Sequence, residues 1–80
     1  MTLATLIAKD RRLAILRFLS EADGYQLNAS VLTRAVEQTA HRAYRDVIEA
    51  DLVHLETHGL VTREELPLGA GTLTIATLTA

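Results

Sequence analysis

Ile48-Glu49-Ala50-Asp51-Leu52-Val53-His54-Leu55-Glu56-Thr57-His58-Gly59-Leu60-Val61 is the stretch that decides how this chain folds. Its skeleton is an apolar residue, leucines four and seven positions later, glycine at the eleventh, and then Leu-Val. Apolar residues at that spacing share one face of a helix. Tyr44 extends the stripe one turn upstream. A glycine just past the last apolar position suits the left-handed conformation that ends a helix and turns the chain. Leu60-Val61 then opens an extended segment, so a helix passes directly into a strand.

That strand covers residues 60–66, and Pro67-Leu68-Gly69-Ala70-Gly71 reads as a turn by composition. Residues 72–79 are rich in threonine and aliphatic residues and read as a second strand. Their alternation is clean from Thr72 to Ile75 and slips at Ala76, which predicts a bulge or the end of the strand. Upstream, a first helix is expected over residues 3–22. Leu6, Ile7, Leu13, Leu16 and Leu19 form its stripe, and Ala14, Ile15 and Phe18 broaden it. Asp23-Gly24 stops this helix, Tyr25-Gln26-Leu27 is an extended link, and Asn28 caps a second helix over 29–38. The second helix buries Leu32, Ala35 and Val36. A third runs over about 40–58, starting either from Thr39 as its cap or nearer Tyr44, where Asp46 suits a helix N-terminus. The fold class is therefore α+β, one domain over residues 1–80. It has three helices followed by a two-stranded antiparallel β-hairpin, the order of a winged helix-turn-helix.

The Ile48–Val61 skeleton resembles the third helix and wing entry of bacterial winged-helix regulators of the ArsR-like and MarR-like groups. Three further pieces, Arg12-Leu-Ala-Ile-Leu-Arg-Phe-Leu, Gly24-Tyr25-Gln26-Leu27-Asn28 and Arg45-Asp46, are similar to small winged-helix proteins encoded in Mu-like prophages. The likeness covers most of residues 10–66. It implies a DNA-binding regulator of phage-like origin, and a chain that continues past Ala80. Fold alone does not give function, so the residues must carry that reading themselves.

Composition limits the alternatives. At 80 residues the core is small, and burial reaches only about 60% of the surface exposed in the unfolded chain. With 49% hydrophobic and 22% charged residues, the chain is globular rather than disordered. Only Phe18, Tyr25 and Tyr44 are aromatic, so the core is aliphatic. The chain has no cysteine, which excludes disulfides and thiolate chemistry and fits a cytoplasmic protein. No apolar run reaches the roughly 20 residues of a membrane span. The apolar N-terminus precedes Lys9, Asp10, Arg11 and Arg12 instead of following basic residues, the wrong order for a secretory signal. Asn28-Ala29-Ser30 matches a glycosylation sequon, which without a signal has no consequence.

A net charge of −2 argues against a large basic surface but leaves room for a local one. In a helix-turn-helix the second helix of the pair lies in the major groove. Its outward positions are Arg42, Asp46, Glu49, Ala50 and Val53, with Arg45 at the margin. Residues expected at double-stranded DNA are Arg34, Arg42, Arg45, Glu49 and Arg63. Arg42–Asp46 and Arg45–Glu49 are also opposite charges four apart, the pattern of a self-neutralised face. The wing tip has no Lys or Arg, and Glu64-Glu65 repel phosphate. Lys9, Arg11 and Arg12 form a further basic cluster, read mainly as solvated surface. A homodimer is expected because one small module supplies few phosphate contacts. Leu3, Leu6 and Ile7 are its expected interface.

The competing reading is a protein-interaction or oligomerisation module with no nucleic-acid role. Acidity, the apolar N-terminal turns and the uncharged hairpin tip favour it, as does a last strand (Leu73, Ile75, Leu78) open to pairing with another chain. Asp51, His54 and His58 project along one side of the third helix and are a workable zinc or nickel set. They read better as surface residues near a helix end. His41 reads as a turn residue. No metal, cofactor or enzymatic activity is expected, because no nucleophile–base pair and no phosphate-binding loop is legible.

Overall fold

The structure, a computed structural model, describes residues 2–39 and 42–79. It is α+β, with three helices and a three-stranded antiparallel sheet. Helix α1 (Leu3–Glu21) starts at Thr2, whose hydroxyl accepts from the Thr5 amide at 3.2 Å. A short 3₁₀ turn (Asp23–Tyr25) follows, with Gly24 at φ +69°, the left-handed conformation expected of it. Strand β1 (Gln26–Asn28) leads straight into α2 (Ala29–Glu37). Asn28 caps α2 as its sequence position predicts, accepting from the Val31 amide at 2.9 Å.

Helix α3 (Arg45–Thr57) takes the later of the two expected starts, next to Tyr44, rather than residue 40. Residues 42–44 are not helical, and Tyr44 is the N-cap with no side-chain bond. Residue 41, expected in the turn, lies outside the described residues. Ile48, Leu52 and Leu55 are buried as the skeleton requires, but Tyr44 is exposed and does not extend the stripe. Gly59 takes φ +74° and closes α3, with its amide on the Glu56 carbonyl and the Leu60 amide on the Leu55 carbonyl.

Strands β2 (Val61–Leu68) and β3 (Gly71–Leu78) form the hairpin around Gly69-Ala70. The hairpin is longer than expected at its tip, because Pro67 and Leu68 stay in β2 opposite Thr72 and Gly71. Proline is tolerated there because β2 is an edge strand. Pairing runs unbroken from Val61↔Leu78 to Leu68↔Gly71, so the break in alternation at Ala76 is not a bulge. Thr74 and Ala76 face the core, while Leu73 and Ile75 are half-buried on the other face.

The expected two-stranded hairpin is in fact part of a three-stranded sheet. The link at 26–28 pairs with β3 (Gln26↔Thr77, Leu27↔Ala76, Asn28↔Ile75), giving the order β1-β3-β2. The last strand is therefore central: β2 covers one edge along its whole length, and β1 covers the other over Ile75–Thr77, while residues 71–74 have no partner on the β1 side among the described residues.

Ile15 and Leu19 of α1, Leu32 and Val36 of α2, Ile48, Leu52 and Leu55 of α3, Val61 and Ala76 make the core. Each large side chain there contributes about 1.5–3 kcal/mol of burial. Leu16, Phe18, Leu27 and Leu78 pack around it. The first turns of α1 take no part, since residues 2–7 are all exposed.

Candidate nucleic-acid interface

Helix α3 presents the N-terminal half that the sequence singles out. Arg45, Asp46, Ala50 and Val53 are exposed, and Arg42 and Tyr44 stand exposed just ahead of them. The turn that carries Arg42 is fixed by Ala43, which is buried in the core.

The expected self-neutralising pairs do not form. Arg42 precedes the helix and is not one helical turn from Asp46, whose carboxylate instead accepts from the Val47 amide at 3.0 Å. Glu49 turns toward the sheet and accepts from the buried Thr74 hydroxyl at 3.1 Å. Arg45 reaches the hairpin, donating from Nη2 to the Thr72 carbonyl at 3.3 Å. Helix and hairpin are thereby pinned together at the helix start, and Glu49 serves as a strut. Arg34 on α2 is exposed, and among the described residues neither it nor Arg42 has an ion pair. Arg63 is held by Glu56, through its Nε at 3.1 Å and its amide at 3.2 Å, and lies 3.9 Å from Glu65. Of the five positions expected at DNA, Arg34 and Arg42 thus offer charge outward, Arg45 is exposed but bonded to the Thr72 carbonyl, and Glu49 and Arg63 are engaged internally.

Two residues of the basic cluster on α1, Arg11 and Arg12, also face inward, while Lys9 is exposed. Arg11 donates through both Nε and Nη2 to Asp51, the latter at 2.9 Å, and Arg12 Nε donates to the same carboxylate at 3.1 Å. The Asp51 side chain is only 2% exposed. This hydrogen bond raises the Arg11 pKa above its ordinary value, against the desolvation that lowers it. Arg11 and Arg12 are therefore not solvated surface but the tie between α1 and α3. Asp51, with both oxygens occupied, is not a free ligand beside His54 and His58. The sequence reading missed this tie. Its signal was a carboxylate between Ile48 and Leu55 on a buried helix face, which demands a cationic partner.

His54 and His58 stack with ring centroids 4.4 Å apart, and the His58 Nδ1 lies 2.8 Å from the His54 carbonyl. Desolvation first, then the charges of Arg12 and His58, lower the His54 pKa, while Asp51 opposes them. The hairpin tip keeps Glu64, Glu65, Leu66 and Leu68 exposed. Leu3, Leu6 and Ile7 are 73%, 51% and 44% exposed, so within one copy nothing covers the expected interface. No helix among the described residues is long and apolar enough to cross a membrane.

The class so defined is a small α+β domain that displays the start of one helix beside a β-hairpin. No family model matches the chain. A protein of Haemophilus influenzae, described as an uncharacterized protein, is 41% identical to it over 69 residues, 86% of this chain and 67% of that protein. The chain belongs to the same family as that protein.

Proposed function

We propose that this chain is a winged helix-turn-helix domain that binds double-stranded DNA. In this reading it is a cytoplasmic homodimer acting as a transcriptional regulator of phage-like origin. The observation that carries the reading is the element order, with β1 inserted between α1 and α2 and paired to β3. That arrangement backs the α2–α3 pair with a sheet and leaves the N-terminal half of α3 uncovered. Helix α3 is then the groove-reading helix. Arg42 and Arg45 contact phosphate or guanine, and Arg34 contacts the flanking backbone. Glu49 positions rather than reads, since Thr74 holds it. The acidic hairpin makes no close approach to phosphate, which places most of the affinity on α3. The exposed Leu3, Leu6 and Ile7 at the start of α1 contribute to the dimer contact. Duplex-DNA binding that weakens with salt, and is reduced in Arg42→Ala/Arg45→Ala, tests the reading; no binding at low salt overturns it.

One set of observations favours the second reading, a protein-interaction module. Exposed Glu64 and Glu65 flank apolar Leu66 and Leu68 at the hairpin tip, and apolar α1 turns stand free. These are surfaces for protein contact whether or not α3 meets DNA.

A further inference from the structure

Leu6, Lys9, Leu13 and Leu16 recur at i, i+3, i+7 and i+10 on α1, so they share one side of that helix. Lys9, Leu13 and Leu16 of that side, with Arg12, form one wall of a groove of about 320 Å³ whose other wall is His54, Leu55, His58 and Leu60. Leu16 and Leu60 also line the next depression, which continues the groove to Arg17 and Leu78. Leu13 and Leu60 are 54% and 43% exposed, unusually open for leucines that flank a core. The charges are one-sided. Lys9, Arg12, Arg17, His54 and His58 line the two depressions, and no acidic side chain does. This holds in a chain with two more acids than bases. Asp51 lies close by, but it is buried and already shared between two guanidiniums.

The same molecule carries a complementary surface. At the hairpin tip, Leu66 and Leu68 are 37% and 57% exposed beside exposed Glu64 and Glu65, on the outer strand of the sheet. We infer that the α1–α3 groove receives the hairpin tip of a second copy of this chain. Leu66 and Leu68 pack on Leu13 and Leu60, and Glu64, which shares their face of β2, meets Lys9 and Arg17, while Glu65 on the other face beside Arg63 adds only to the surrounding negative charge. Two such contacts related by a two-fold axis close a dimer. The occupant is chosen by charge and apolar complementarity and rests on neither the DNA reading nor the Leu3 and Ile7 contact. It also gives the acidic hairpin a use that DNA cannot.

The experiment is analytical ultracentrifugation of the full chain and two charge-reversed variants, Lys9→Glu/Arg17→Glu in the groove and Glu64→Lys/Glu65→Lys on the hairpin. All four positions are exposed, and circular dichroism checks that each variant is folded. Each variant alone is expected to raise the dimer Kd by about ten-fold or more, since like charges then face each other. An equimolar mixture restores association, because in the mixed dimer both groove–hairpin contacts join opposite charges: the reversed groove meets the reversed hairpin, and the native groove meets the native hairpin. In a mixed-label sample of the unaltered chain, intermolecular NOEs are expected from Leu13 and Leu60 methyls to Leu66 and Leu68 methyls. A chain monomeric at about 1 mM, a dimer indifferent to both variants, or a mixture no tighter than its parts overturns the proposal.

Discussion

Replacing Asp51 with alanine removes the acceptor of three hydrogen bonds from two guanidiniums. Asp51 is almost wholly enclosed, whereas the Arg11 and Arg12 side chains keep 14% and 28% of their exposure. Breaking a buried pair by removing one partner costs about 3–5 kcal/mol, because the remaining charge is left uncompensated. Here the two arginines retain some access to water, which places the cost near the lower end, about 3 kcal/mol. An 80-residue domain has a stability of about 4–12 kcal/mol, so this one carboxylate accounts for a quarter to three quarters of it. Urea denaturation followed by far-ultraviolet circular dichroism measures the loss as a lower midpoint at unchanged slope. The corresponding fall in Tm is about 12–24 °C. The triple change Arg11→Met/Arg12→Met/Asp51→Leu should recover most of that loss, since apolar side chains replace a buried ionic group without leaving a charge behind. A D51A variant within about 0.5 kcal/mol of the parent would refute the argument, because that is what an exposed carboxylate shows.

Asn28→Ala removes the cap bond to the Val31 amide and should cost about 1 kcal/mol in the same urea assay. The His54 pKa is lowered in the fold, so the unfolded chain takes up that proton first as pH falls through the ordinary histidine value. Its contribution to stability is present above that range and declines below it. The fall in urea midpoint between about pH 7.5 and 5.5 should therefore be smaller in His54→Gln than in the parent; an equal fall would assign the pH dependence elsewhere.

The elements legible in the sequence are those with a local signature. Gly24 and Gly59 take the left-handed conformations their positions require, Asn28 caps α2, and Ile48, Leu52 and Leu55 face the core. What was not legible depends on partners distant in the chain. Three residues are too few to display alternation, so β1 is recognisable only by its pairing with Leu78's strand, about fifty positions away. The start of α3 carries no side-chain cap, because Tyr44 cannot supply one. Thr74 and Ala76 are the buried face of β3, though Leu73 and Ile75 are the more apolar pair. Burial alternates along β3 but side-chain polarity does not follow it, so the apolar pattern alone could not name the core face. At the candidate site, spacing alone paired Arg45 with Glu49, but the hairpin drew each to a different partner. Arg11 and Arg12 are similar surface candidates by sequence, and only the fold brings them to Asp51, some forty residues on.

The central claim, that α3 and its flanking arginines form a DNA-binding surface, is tested most directly by affinity for duplex DNA across a salt series. Three arginines per copy in a dimer predict a slope of about −5 in log K against log salt. Arg42→Ala/Arg45→Ala should flatten that slope by more than half while leaving the fold intact. Absence of binding at low salt, or a slope that this double variant does not change, would contradict the claim.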